Sequence, residues 1–169
     1  KHSVLLTTIV TSAVRSVQGL GGGIYELEPQ GDALRVVASI PQDLMGTRLV
    51  KGEGGAAWAT LLEKDPVVSI PSYRQFSARA QRYGDGTRFG SVLAVALGRA
   101  GAETGVLWVD ASDGRPFRQS EISAIQRLAA IASIAIAQSR QRDLSQERVR
   151  RLNSLTEATT EIAQLTSTG

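Results

Sequence analysis

Residues 89–110 read FGSVLAVALGRAGAETGVLWVD. Val92 to Leu97 form an almost unbroken apolar run of strand length, and Gly105 to Val109 form a second one closed by Asp110. Between them Gly98, Arg99, Ala100, Gly101, Ala102 and Glu103 supply a polar, glycine-bearing reversal. Short apolar runs bounded by glycine and polar residues are the pattern of buried strands. The connection is long enough for an antiparallel return and too short for a crossover helix. In the first run Leu93, Val95 and Leu97 share one face, and Val92, Ala94 and Ala96 share the other. A bulky face opposite a small one predicts a strand covered on both sides, with the small side open to close approach by a helix or a ligand.

Upstream, residues 3–18 carry apolar positions at Leu5, Leu6, Ile9, Val10, Ala13, Val14 and Val17, the stripe of one amphipathic helix. Gly19 ends it, and residues 20–23 read as a loose glycine-rich link. Residues 23–28 and 34–40 then form a hairpin around Pro29-Gln30-Gly31-Asp32, which is placed at the edge of the sheet. A short strand is predicted at residues 48–50, a helix at 55–63 ended by Asp65-Pro66, and a strand at 67–70. Residues 71–87 are the irregular part, where Phe76, Arg79, Ala80 and Tyr83 follow helical spacing. Downstream, Phe117 anchors a last helix whose inner stripe is Ile122, Ile125, Ala129, Ala132 and Ile136. Beyond Gln138 the chain stays helical but charged, with seven-residue repeats through Leu144, Arg151, Ala158 and Leu165 interrupted by arginine at seam positions.

Four of these stretches, in register, resemble the signature of GAF domains: the serine-led strand SVLAVAL, the strand TGVLWVD followed by Phe117, the loop Gly52-Glu53-Gly54-Gly55-Ala56-Ala57, and the strand Pro66-Val67-Val68-Ser69-Ile70. The resemblance covers residues 5–138. In that family a threonine usually follows the phenylalanine and caps the last helix. Here Arg118 takes its place, so the capping box is expected to be lost, with Ser120 as a substitute one turn later.

The expected fold is therefore α+β: an antiparallel sheet of five or six strands, first and last helices on one face, and the loop and short-helix segment 52–87 on the other. Residues 1–138 form the sensor-like domain, and residues 139–169 a helical linker toward a further domain. The chain opens on Lys1 rather than methionine, the expectation for a piece of a longer protein.

Composition narrows function. The chain has no cysteine and one histidine, His2 at its start. Disulfides, thiolate nucleophiles, Ser-His-acid sets and metal sites built on these ligands are unsupported, and a reducing, cytoplasmic compartment is expected. The formal charge of +3 comes from arginines interleaved with acids, so no nucleic-acid partner is expected. The apolar run at residues 128–137 falls short of the about 20 residues of a membrane span. The glycines at 52–55 precede no Lys-Ser/Thr pair and so make no phosphate-binding loop. The acids Glu53, Asp110, Asp113 and Glu121 show no catalytic pairing, and no enzyme activity is expected.

What the resemblance implies is regulation: a sensor module of a signalling protein such as a two-component sensor histidine kinase, binding a small molecule or dimerising through its terminal helices. A ligand-free dimerisation module is the alternative. Cyclic nucleotides are disfavoured, because the Asn-Lys pair of the family's cyclic-nucleotide signature has no counterpart here. Bilin attachment and methionine sulfoxide reduction in this fold use cysteines, and histidine-ligated haem would need His2. The ligand itself stays open. From the residues, an anionic or aromatic molecule is expected against Tyr73, Arg79, Tyr83 and Arg88, with Trp58 and Trp108 as walls. The competing reading has these aromatics plugging the core while the arginines face water.

Overall fold

The structure is a computed structural model that describes residues 2–51, 55–62, 65–73, 90–99, 101–112 and 114–167. Its elements in chain order are α1 (His2–Ser16), β1 (Gly21–Leu27), β2 (Ala33–Ile40), a 3-10 turn (Gln42–Leu44), β3 (Arg48–Val50), α2 (Ala56–Leu62), β4 (Val67–Ile70), β5 (Ser91–Arg99), β6 (Ala102–Ala111) and α3 (Gln119–Ser167). The chain divides into two compact units, Lys1–Ala135 and Ile136–Gly169.

In the first unit six strands form one antiparallel sheet in the order β3-β2-β1-β6-β5-β4. The hairpin expected at residues 89–110 is present as β5 and β6, with Ala94 opposite Trp108 and Val95 opposite Leu107. Its reversal uses positive φ at Gly98 and Gly101, which glycine adopts without a steric penalty. The parity of this hairpin divides the two faces. Val92, Ala94, Val106 and Trp108 face α2, in one cluster with Leu34, Leu49, Trp58 and Ile70. Leu93, Val95, Leu97, Leu107 and Val109 take the other face and are equally buried. There α1 packs on β1, β2 and β6, with Leu6, Ile9, Val10 and Ala13 buried along it and Val17 buried just after its end. Ser133 of α3 accepts a 2.8 Å hydrogen bond from the Gly98 N–H of β5.

Two sequence expectations are corrected. Residues 21–23 are not a link but the first half of β1, and β1 is not an edge: it lies between β2 and β6. The reason is close approach. A Cβ at Gly22 would stand 2.7 Å from the Trp108 carbonyl and 3.0 Å from Val14 Cγ2, so only a bare backbone fits between α1 and the sheet. Glycine here trades strand propensity for contact distance.

The start of α3 is the second correction. Arg118 is its N-cap: the Arg118 carbonyl accepts the Ile122 N–H, and the Glu121 carboxylate accepts the Arg118 N–H at 2.8 Å. That is half of a capping box, kept by the acid although the threonine is missing. Arg115 pairs with the same carboxylate at 2.5 Å and lies over the Phe117 ring at 5.5 Å. Burial pushes the Glu121 carboxyl up, but the Arg118 N–H and the Arg115 guanidinium outweigh it and hold the group below the usual carboxylate range. At the far end of β1, hydrogen bonds from Arg48 and then Arg35 do the same for Glu28.

Among the described residues one helix, Gln119–Ala158, is long and apolar enough to cross a membrane by length and composition, with a mean hydropathy of 1.3 over an 18-residue window. The sequence reading counted only the uninterrupted run at 128–137. About a quarter of the wider window, 28%, is buried in the structure, Ile125, Ala129 and Ala132 among it. The second unit, taken by itself, is helix with exposed Leu144, Val149, Leu152, Leu155 and Ile162 and an Arg151–Glu147 pair one turn apart.

Candidate functional site

The α2 face of the sheet is built in rows of cross-strand neighbours. One row runs Ser39, Gly23, Trp108, Ala94, Val68, and the next toward the strand ends runs Gly21, Asp110, Val92, Ile70. Residues 21, 23 and 25 of β1 therefore share this face. Gly21 and Gly23 leave the centre of the sheet without side chains, and the Trp108 indole lies in the space. A Cβ at Gly23 would be 3.0 Å from Trp108 Nε1. Tyr25, one position further along the same face, meets Trp108 with ring centroids 6.3 Å apart and planes tilted by 36°.

Helix α2 closes over this floor. Its run of Ala56, Ala57 and Ala59 lets the helix approach, and Trp58 is driven into the cluster until it is 4% exposed. Its indole Nε1 is buried and has no hydrogen-bond partner among the described residues. The Ser39 hydroxyl on the same face is in the same state. Such groups cost about 1–3 kcal/mol each when left unsatisfied, so the face holds unused donor capacity. Asp110 is buried as well, and its Oδ1 lies 2.9 Å from where a Cβ at Gly21 would be.

Tyr73 joins α2 to this face. Its phenol oxygen accepts hydrogen bonds from the backbone N–H groups of Ala56 and Gly55 and abuts Gly55 so closely that a side chain there is excluded. Burial pushes the Tyr73 phenol up despite those bonds. Burial, and then the facing Tyr73, push the Tyr25 phenol up to about 12. Both phenols are therefore neutral donors and acceptors near neutral pH. The described wall is aromatic, with N–H and O–H groups turned into an apolar setting. That chemistry suits a small planar molecule carrying hydrogen-bond acceptors.

Of the residues singled out in the sequence, Trp58, Tyr73 and Trp108 are brought together on this face. Arg79, Tyr83 and Arg88 lie outside the described residues, as do Glu53 and Asp113. The sequence reading missed Tyr25, Ser39 and the placement of Asp110. The signal for Tyr25 was the alternation Gly21, Gly23, Tyr25, hidden once the glycines were read as a link. Among the described residues no group of three or more His, Asp or Glu side chains is placed to hold a metal ion.

A family model described as the GAF domain matches residues 3–137. No curated protein matches the chain significantly. Solved structures with the same fold include the GAF domain of an Acinetobacter phosphoenolpyruvate-protein phosphotransferase, at 18% identity and a TM-score of 0.69, covering 83% of this chain and 85% of that one. Free methionine-R-sulfoxide reductase from Neisseria meningitidis, in complex with its substrate, aligns at 19% identity and a TM-score of 0.65, covering 83% of this chain and 81% of its own. A domain assigned to a two-component sensor histidine kinase of Sinorhizobium meliloti aligns at 14% identity and a TM-score of 0.63, covering 85% and 95%. At these identities the likeness speaks for the fold alone.

Proposed function

Because this chain belongs to the GAF domain family, we propose that it is a regulatory sensor module of a larger signalling protein, such as a sensor histidine kinase. In this reading a small aromatic or anionic molecule binds on the α2 face and biases the terminal helices, which pass the bias to an output domain. The carrying observation is the buried Trp58 N–H, without a hydrogen-bond partner among the described residues, in the aromatic cluster of Tyr25, Tyr73 and Trp108. Trp58, Tyr73 and Trp108 are the described part of the proposed site, and Arg79, Tyr83 and Arg88 are proposed to complete it with groups for a carboxylate or phosphate. The role is regulatory rather than catalytic, in keeping with a chain that has no cysteine and a single histidine. Residues 1–138 act as the sensor and 139–169 as the linker, in the cytoplasm.

The test is a thermal-shift screen of small metabolites, followed by Trp58→Phe, Arg79→Ala and Arg88→Ala on any hit. Losing one charge-assisted contact should weaken binding about tenfold or more. A hit indifferent to all three substitutions contradicts the site.

A second reading rests on a different observation. In the helix of the second unit Leu152, Leu155 and Ile162 are exposed at coiled-coil spacing, and Leu144 and Val149 are exposed beside them. The proposed occupant is the same helix of a second copy, because a heptad stripe is complementary to itself. In this proposal Leu152, rather than Arg151, takes the seam position. Light scattering should show a dimer that weakens when the chain is cut after Gln138. A monomer at every concentration contradicts it.

A further inference from the structure

The residues between β4 and Tyr73 touch three parts of the molecule at once. The Pro71 carbonyl accepts a 2.7 Å bond from the Ser91 hydroxyl and a 2.9 Å bond from the Gly114 N–H. The Ser91 oxygen also stands 2.9 Å from the Ser112 carbonyl. Two residues on, the Tyr73 N–H donates to the Gly90 carbonyl at 2.9 Å, while the Tyr73 phenol caps α2 through Gly55 and Ala56. One three-residue stretch is thus bonded to the start of α2, to the start of β5, and to the connector that leads into α3.

Ser91 sits where these bonds cross the sheet. It is fully buried and pairs with Ala111 at the end of the β5–β6 ladder. By strand parity its side chain is on the Leu93 face, whereas Tyr73 serves the α2 face. A serine hydroxyl has one proton, so it can donate fully to only one of its two carbonyl partners at a time. One partner, Pro71, is in the stretch that carries Tyr73. The other, Ser112, is in the connector, followed by the positive-φ turn at Gly114 and then by Arg115 and Phe117 at the start of α3.

We infer that Ser91 is a positioning residue that couples the Tyr73 latch on α2 to the start of α3. A change that pulls the Tyr73 phenol off the α2 amides moves the Pro71–Tyr73 main chain. Pro71 then gives up its share of the Ser91 proton to Ser112, and the Gly114 bond loosens with it. The inference rests on the reading of α3 as the output helix for its meaning. Its test needs neither a ligand nor a partner, so a failed metabolite screen leaves the test intact.

The experiment is amide hydrogen exchange on the whole chain in a double-mutant cycle of Tyr73→Phe and Ser91→Ala. Tyr73→Phe keeps the ring and removes the oxygen that caps α2. It should speed exchange about fivefold or more both at residues 55–59 and at residues 114–122. In the Ser91→Ala background the effect at 55–59 should persist, as should that at Gly114, which is bonded directly to Pro71, and the effect at 115–122 should fall to less than about twofold. A purely structural Ser91 would raise exchange at 115–122 by itself but leave the Tyr73→Phe increment unchanged, and that result overturns the coupling. Should Ser91→Ala not fold, the cycle is repeated with Ser91→Cys, whose thiol is a much weaker donor: a shrunken Tyr73→Phe increment at residues 115–122 supports the inference, and an undiminished one refutes it.

Discussion

The two faces of the sheet are made of different material. On the α1 side the buried side chains are aliphatic: Leu6, Ile9 and Val10 of the helix, Val17 just after it, and Ile24, Leu93, Leu107 and Val109 of the sheet. On the α2 side tryptophans and tyrosines replace them, glycines thin out β1, and Ser39, Asp110 and the Trp58 N–H are buried among the rings. An aliphatic face needs only to be filled. A face with buried polar atoms and missing side chains carries a cost that packing alone does not justify. One side holds the fold by aliphatic packing and the other is the side proposed above for recognition, a contrast that can be broken by substitutions that treat the two sides alike.

The largest effect is expected on the aliphatic side. Leu107→Ala leaves a cavity under α1 and should cost about 2–5 kcal/mol in denaturant unfolding. Gly23→Ala tests the other side. Its new Cβ meets the Ala38 carbonyl at 2.8 Å and Trp108 Nε1 at 3.0 Å, so the indole or the strand must shift. The expected cost is about 1–3 kcal/mol, with a changed tryptophan emission. A cost with unchanged emission would show that Trp108 does not depend on the bare strand.

These expectations also mark how far the residues alone could be read. The β5–β6 hairpin was legible because its alternation of large and small side chains is unambiguous, and the small side does receive α2. β1 was not, since Gly21 to Gly23 have no propensity for a strand. Their place is decided by the backbone of β6 and by Val14, which a local pattern does not contain. Trp58, Tyr73 and Trp108 could be named as neighbours from strand order. The role of Tyr73 as the cap of α2 could not, because it joins residues far apart in sequence. Arg118 shows the reverse case: the missing threonine was visible, yet Glu121 keeps its half of the box.

Smaller effects sharpen the comparison at its margins. Glu121→Ala removes the cap and the Arg115 pair and should cost about 1 kcal/mol. The Glu121 and Glu28 carboxyls are held below their ordinary value in the folded state. Their contribution is therefore complete above the unfolded value of about 4.3 and is lost as pH falls through the lower folded values. Stability of the native chain should decline on acidification below about pH 5, and Glu121→Gln should flatten that decline. A profile as steep in the variant would remove Glu121 from the explanation. Ser39→Ala should be the smallest change, within about 0.5 kcal/mol and toward greater stability, since it deletes a buried hydroxyl that lacks a partner among the described residues. A clear loss would mean that this hydroxyl is satisfied and that the α2 side is ordinary core.

The chain has two tryptophans, Trp58 and Trp108, and both belong to the α2-side cluster. Intrinsic tryptophan emission therefore reports on the proposed recognition face alone. The most direct test is to titrate each stabilising small molecule while recording that emission beside the thermal midpoint. The account predicts a saturable change in emission with the same midpoint as the stabilisation, lost in Trp58→Phe. Stabilisation that saturates while the emission of both tryptophans stays unchanged would contradict it.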